Sequence, residues 1–180
     1  MFYDLARSTV LVICFFGIVS AQQSVDVWLD VPFVKQVKKG CGSASIAMVM
    51  QYWLEQQGRL VTESADADQI HAALFEPDAD GIYASAMERY FQEHGFRAFS
   101  FRGDLEMVQQ HLQKGRPLIV ALKPSASDNT LHYVVVVGID KVQDHVLLND
   151  PAQRKLLRHS RSDFEKQWNA TGEWTLLAVP

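Results

Sequence analysis

Residues 131–150, LHYVVVVGIDKVQDHVLLND, are the part of the sequence that decides the fold. The consecutive valines at 134–137 place apolar side chains on both faces of a strand, which is typical of the centre of a sheet. The polar run 140–144 predicts a turn, and residues 146–149 predict the strand that returns from it. The stretch is therefore expected to form a central antiparallel hairpin.

The register of this hairpin predicts which polar groups meet at its open end. If Ile139 pairs near His145, paired residue numbers sum to about 284, so that His132 lies opposite residues 150–152. Asp150 lies in that range, where its carboxylate can hold the ring of His132. The sequence Asn149-Asp150-Pro151 is also typical of a turn that ends a strand, and both interpretations can hold together.

A buried helix is predicted upstream, in the stretch KKGCGSASIAMVMQYWLEQQG at 38–58. Residues 38–40 are typical of a turn, apolar residues recur at helical spacing from Ile46 to Leu54, and Gly58 marks the end. Cys41 therefore lies in the first turn of the helix.

Shorter patterns complete the domain. They predict strands at 25–33, 96–101, 117–122, 155–158 and 174–179, helices at 65–74, 84–92, 104–114 and 162–168, and a loop at 77–81. With most helices before most strands, the order indicates an α+β domain in which N-terminal helices pack on a C-terminal antiparallel sheet.

The N-terminus is typical of a secretory signal. Residues 9–19, TVLVICFFGIV, form an apolar run after Arg7, and small residues at 19–21 precede a polar segment. The run is shorter than the ~18 residues that span a bilayer. We expect cleavage after Ala21, a folded domain over residues 22–180, no stable membrane span after cleavage, and a secreted or periplasmic location; an uncleaved anchor is the alternative.

Composition excludes other classes of protein. The chain is 48% hydrophobic and 21% charged, which allows one globular core in its 180 residues. Its formal charge is −4, and basic residues do not cluster, so nucleic acid is not expected as a partner. Cysteines and histidines lack zinc spacing, and no cofactor or metal is implied.

Removal of the signal takes Cys14 with it and leaves Cys41 as the only cysteine. A helix N-terminus favours an anion, so it stabilises the thiolate, which is the nucleophilic form. The small residues 42–44 would let a substrate backbone approach, and the amide of Gln36 could donate to an oxyanion beside the Cys41 N–H. The alternative is a small apolar core cysteine.

A nucleophilic thiol requires a base, and His132 is the histidine best placed to supply it. It begins the central strand behind a polar loop, residues 125–130, that could border a cleft. The other histidines are expected to be solvated or to lie on the surface or at turns, namely His71, His94, His111, His145 and His159. A structural role for His132 is the alternative.

Four segments together resemble a known family: VPFVKQVKKGCGSASIAMVMQYW, GRPLIVAL, LHYVVVVGID and LLNDP. They are similar to the cysteine peptidases that remove double-glycine leaders from bacteriocins, and most of all to stand-alone secreted relatives. The similarity extends from about Val31 to Trp168. It implies a papain-like fold with Cys41 as nucleophile, His132 as base, Asp150 as orienting group and Gln36 in the oxyanion hole.

The sequence thus predicts an exported thiol peptidase that cleaves a peptide or small protein through a thioester. Two alternatives stay open. One is an acyltransferase or transpeptidase, which shares the acyl-enzyme and differs only in the acceptor. The other is a non-catalytic peptide-binding domain on the same fold.

Overall fold

The computed structural model describes residues 27–125 and 131–180. The predicted signal at 1–21 and most of the polar loop at 125–130 lie outside them. In chain order the elements are β1 (Val27–Trp28), α1 (Cys41–Gln56), α2 (Ala67–Leu74), α3 (Ala84–Glu93), β2 (Arg97–Arg102), α4 (Leu105–Gln113), β3 (Leu118–Leu122), β4 (His132–Asp140), β5 (His145–Asn149), β6 (Leu157–Ser160), α5 (Arg161–Asn169) and β7 (Trp174–Val179). The predicted α+β class is confirmed.

The seven strands form one antiparallel sheet in the order β2-β7-β3-β4-β5-β6. β4 is central: β3 and β5 flank it, and β1 pairs with the end of β4 that β3 does not reach, at Gly138 and Ile139. The β4–β5 hairpin has the predicted turn and approximate register, with Ile139 opposite Val146. A bulge between Val136 and Gly138 shifts the register by one residue.

Helices cover both faces of this sheet. α1, α2 and α3 pack on one face, where β4 contributes the buried Tyr133, Val135 and Val137. α4 and α5 cover the other, where the alternate residues Val134 and Val136 are fully buried. The valine run is therefore apolar on both sides because both sides are covered, as the sequence predicts.

α1 is the central helix of the first face. Its residues from Gly42 to Met50 are buried without interruption, so it has no solvated stripe over that length. Two side chains near its C-terminal end donate hydrogen bonds to the backbone. The indole of Trp53 donates to the carbonyl of Ala178 and the hydroxyl of Tyr52 to that of Gly115, each at 2.9 Å. Fixed at this end and enclosed along its length, α1 gives Cys41 a rigid support.

Several predicted boundaries were wrong. The strand expected at 25–33 is confined to Val27–Trp28 in the described residues. One more backbone bond follows, from the N–H of Leu29 to the carbonyl of Val137 at 2.7 Å, and the chain then continues to Gln36 outside any strand. The helix expected from residue 65 begins at Ala67, because Asp66 caps it by accepting from the N–H groups of Asp68 and Gln69. The loop at 77–81 contains a 3₁₀ turn, Pro77–Ala79.

In the part of the chain that the structure covers, no helix is both long and apolar enough to cross a membrane.

Candidate active site

Cys41 is the first residue of α1, as predicted, and Gly40 separates it from the turn at 38–39. Gly40 is the N-cap and provides no side-chain capping bond. The first N–H groups of a helix have no intrahelical acceptor, so those near the thiol remain available to an anion. Within the described residues Cys41 is a free, partly buried thiol.

His132, the first residue of β4, lies next to that thiol. It pairs across the sheet with Leu122 of β3, and its ring interacts with the sulfur of Cys41. Nε2 of the ring lies 2.8 Å from Oδ1 of Asp150. Because Nε2 is occupied by the carboxylate, Nδ1 is the ring nitrogen left for the thiol.

Asp150 immediately follows β5 and is 3% exposed. The predicted register brings it to the start of β4, so the hairpin supplies both the imidazole and the carboxylate beside it. Asp150 is thus both a turn residue and the ring's partner, and the two interpretations of the sequence Asn149-Asp150-Pro151 hold together.

The electrostatics favour an ion pair between thiol and imidazole. Burial would raise the pKa of Cys41, but the hydrogen bond with His132, the backbone N–H of Tyr133 and the imidazolium charge outweigh it, so the pKa lies below its ordinary value. Burial would lower the pKa of His132, but its bonds to Asp150 and Cys41 raise it to about 9. The pKa of the thiol is lowered and that of the imidazole is raised, and both shifts favour the thiolate–imidazolium pair.

The pKa of the Asp150 carboxyl is also lowered. Burial acts to raise it, but the hydrogen bond and charge of His132 prevail, helped by the Ala152 N–H and the Gln153 side chain. The carboxylate of Asp150 is therefore ionised at neutral pH.

Gln36 lies at the same cleft. Its backbone N–H donates to the carbonyl of Pro151 at 3.0 Å, which ties the extended segment before α1 to the turn after β5. Its side-chain Oε1 is buried and has no hydrogen-bond partner among the described residues. Rotating the carboxamide by half a turn would exchange the positions of its oxygen and nitrogen. The oxygen would lose no hydrogen bond in that rotation, since it makes none with the described residues.

The cleft has a volume of about 900 Å³. Its lining includes Gln36, Cys41, His132 and the segment from Asp78 to Ala84. Lys39 and Asp80, which also line the cleft, form an ion pair of 2.5 Å.

Three of the sequence predictions need correction. Residues 42–44 are buried and do not line the cleft, and a Cβ on Gly42 would lie 3.2 Å from the Cβ of Ile82. His71 on α2 and His111 on α4 are partly buried instead of solvated, and the Nδ1 atom of each is enclosed without a hydrogen-bond partner among the described residues.

Sequence reasoning did not find two parts of the site. One is the backbone N–H of Tyr133, which stabilises the thiolate; its only signal is its place next to His132. The other is the cleft wall at 78–84, which the sequence shows only as a polar loop. The described residues contain no cluster of three or more side chains suited to bind a metal.

The sequence model of the Peptidase_C39 like family matches residues 28–175 of the chain. No curated protein matches it with significance. Among solved structures, a C39-like peptidase from Bacillus anthracis is 19% identical, with a TM-score of 0.68 over 86% of this chain and 98% of that one.

Two further structures are similar. A double glycine motif protease from an AMS/PCAT transporter, solved in complex with the leader peptide, is 22% identical, with a TM-score of 0.65 over 86% of this chain and 97% of that one. The peptidase domain of Streptococcus ComA, a bifunctional ABC transporter involved in quorum sensing, is 21% identical, with a TM-score of 0.62 over 82% and 97%. At such identities these structures establish the fold, and the family match over residues 28–175 shows that the chain belongs to the Peptidase_C39 like family and is a cysteine peptidase of papain-like fold.

Proposed function

We propose that the chain is exported and hydrolyses a peptide bond through a thioester on Cys41. The observation that carries this proposal is the continuous set of contacts from the thiol through His132 to Asp150 at one side of an open cleft. A nucleophile, a base and an orienting carboxylate in this arrangement are what acyl transfer requires.

In the first half of the reaction the Cys41 thiolate attacks the carbonyl carbon of the scissile bond. The oxyanion that forms accepts from the backbone N–H of Cys41 and from the side-chain amide of Gln36. His132, as imidazolium, gives its proton to the leaving amine, the C–N bond breaks, and the acyl group remains on sulfur.

In the second half, neutral His132 takes a proton from water, and the oxygen of that water attacks the thioester. The carbonyl reforms as the C–S bond breaks, and Cys41 leaves as thiolate beside the imidazolium. Asp150 remains ionised throughout, and it holds the ring through Nε2 so that Nδ1 serves the proton transfers.

A peptide or small protein is the substrate that this cleft suits. The C39 protease solved with its leader peptide has the same fold, which supports a peptide as the occupant here. The proposed export depends on residues 1–21 of the sequence, with cleavage after Ala21 and release to the periplasm or the medium. Sequencing of the mature N-terminus, expected at Gln22, tests the export.

Substitutions of Asp150 are expected to differ in effect. Asp150→Asn keeps an acceptor for Nε2 of His132, whereas Asp150→Ala removes it, so the asparagine variant should retain about 5–10-fold more activity, the equivalent of one hydrogen bond. Turnover rates of the two variants at equal concentrations of folded protein provide the measurement. Equal and complete loss in both would show that the charge itself is required.

The proposed chemistry can be tested before a substrate is known, with peptidyl vinyl sulfones that vary in sequence. A catalytic Cys41 should label at a rate that saturates with reagent concentration, because the peptide first binds the cleft, while iodoacetamide labels at a rate that rises linearly. Mass spectrometry locates the adduct. Linear kinetics with every peptide reagent, or labelling that survives in Cys41→Ala, would contradict the proposal.

A further inference from the structure

The turn that follows β5 contacts both His132 and the segment that carries Gln36. Asp150, at its start, binds His132, and the next carbonyl, that of Pro151, accepts from the backbone N–H of Gln36 at 3.0 Å. Asn149, fully buried just before the turn, donates to the carbonyl of Val31 at 3.1 Å. The position of this turn therefore sets where the imidazole partner and the segment with Gln36 lie.

The two oxygens of the Asp150 carboxylate have different partners. Oδ1 accepts from Nε2 of His132 at 2.8 Å and from the N–H of Ala152 at 2.9 Å. Oδ2 accepts from Nε2 of Gln153 at 2.6 Å. With one oxygen held by Gln153, the plane of the carboxylate is fixed, and Oδ1 is directed at the imidazole.

We propose that Gln153 is a positioning residue of the site, whose side-chain amide orients the Asp150 carboxylate against His132. The proposal deepens the proposed function and rests on it, since it concerns the same three groups. Gln153 is otherwise a surface residue, exposed to solvent next to a carboxylate that is almost completely buried.

The side-chain bond is not needed to form the turn. The backbone N–H of Gln153 already donates to the carbonyl of Asp150 at 2.9 Å, and the N–H of Asp150 donates to the carbonyl of Arg154 at 3.2 Å. These bonds would survive truncation of the Gln153 side chain. A role in the turn alone and a role in positioning the carboxylate therefore predict different results.

The test is the titration of the Asp150 carboxyl carbon, followed by NMR in the full chain. A donor to the ionised carboxylate lowers its pKa, so Gln153→Ala should raise the midpoint by about one pH unit. Gln153→Glu should raise it further, because a second carboxylate opposes ionisation. In Gln153→Lys the midpoint of Asp150 should equal the wild-type value or lie below it, because an ammonium group of similar reach again donates to the carboxylate.

The matched control is Gln110→Ala on α4, where a glutamine also faces a carboxylate, that of Glu106 at 3.4 Å, away from the site. It should leave the Asp150 midpoint unchanged. An Asp150 midpoint equal to wild type in Gln153→Ala, with or without a lower melting temperature, would overturn the inference. Because the titration requires no substrate, a chain that proved inactive would contradict the proposed function while this measurement still decided the role of Gln153.

Discussion

Replacing His132 with alanine is expected to lower peptide turnover by about 10²–10⁴-fold, the usual contribution of a general acid–base group. The loss has two causes. The leaving amine no longer receives a proton, and the thiol of Cys41 loses the imidazolium that keeps it ionised. Without that charge and hydrogen bond, only the backbone N–H groups of Tyr133 and Gly42 oppose burial, which raises the pKa of the thiol.

The second cause can be measured without a substrate, as the pH dependence of Cys41 alkylation by iodoacetamide. In the wild type the rate should remain high at mildly acidic pH, because the pKa of Cys41 is lowered. In His132→Ala it should rise only near or above the ordinary thiol value of ~8.5. Wild-type turnover should also decrease as the pH rises through about 9, where the His132 imidazolium loses its proton.

His145→Ala is the matched control, since His145 begins the other strand of the same hairpin and does not line the cleft. Its alkylation profile should coincide with that of the wild type. If the wild-type and His132→Ala profiles coincided instead, there would be no ion pair and the assigned roles of both residues would fail.

The sequence was informative where one signal dominates locally. The valine run predicts the central strand because a sheet covered on both faces requires apolar residues at consecutive positions. The polar turn then fixes the hairpin register within about one residue, which is sufficient to bring Asp150 to His132. Three of the four candidate residues line the cleft, and Asp150 lies directly behind the imidazole.

The remaining features depend on distant partners. The alternation at 25–33 predicts a strand longer than Val27–Trp28, its extent in the described residues. The observed strand ends early because β3 occupies the same edge of β4 from Val136 back to His132. The cleft wall at 78–84 has no periodicity, and its place is set by contacts such as that between Ile82 and Gly42. Packing of this kind cannot be read from spacing along the chain.

Replacing Gln36 with alanine is expected to lower turnover by about 10²–10³-fold, the usual cost of removing one oxyanion donor. The fold should be retained, because the structural bond of this residue is made by its backbone N–H, which donates to Pro151 and survives the substitution. Among the described residues, the buried side-chain oxygen of Gln36 has no hydrogen-bond partner to lose. Thermal melting of the variant therefore separates a catalytic loss from unfolding.

Two further variants make the interpretation of Gln36 specific. Gln36→Glu has nearly the same shape but no amide donor, and its charge opposes an oxyanion, so its loss should equal or exceed that of alanine. Gln57→Ala removes an exposed glutamine just beyond the other end of α1 and should have no effect. Alkylation of Cys41 by iodoacetamide should stay at the wild-type rate in Gln36→Ala, because that reaction forms no oxyanion. Unchanged peptide turnover in Gln36→Ala would leave Gln36 as a structural residue of the loop and would assign oxyanion binding to the backbone N–H groups at the start of α1 alone.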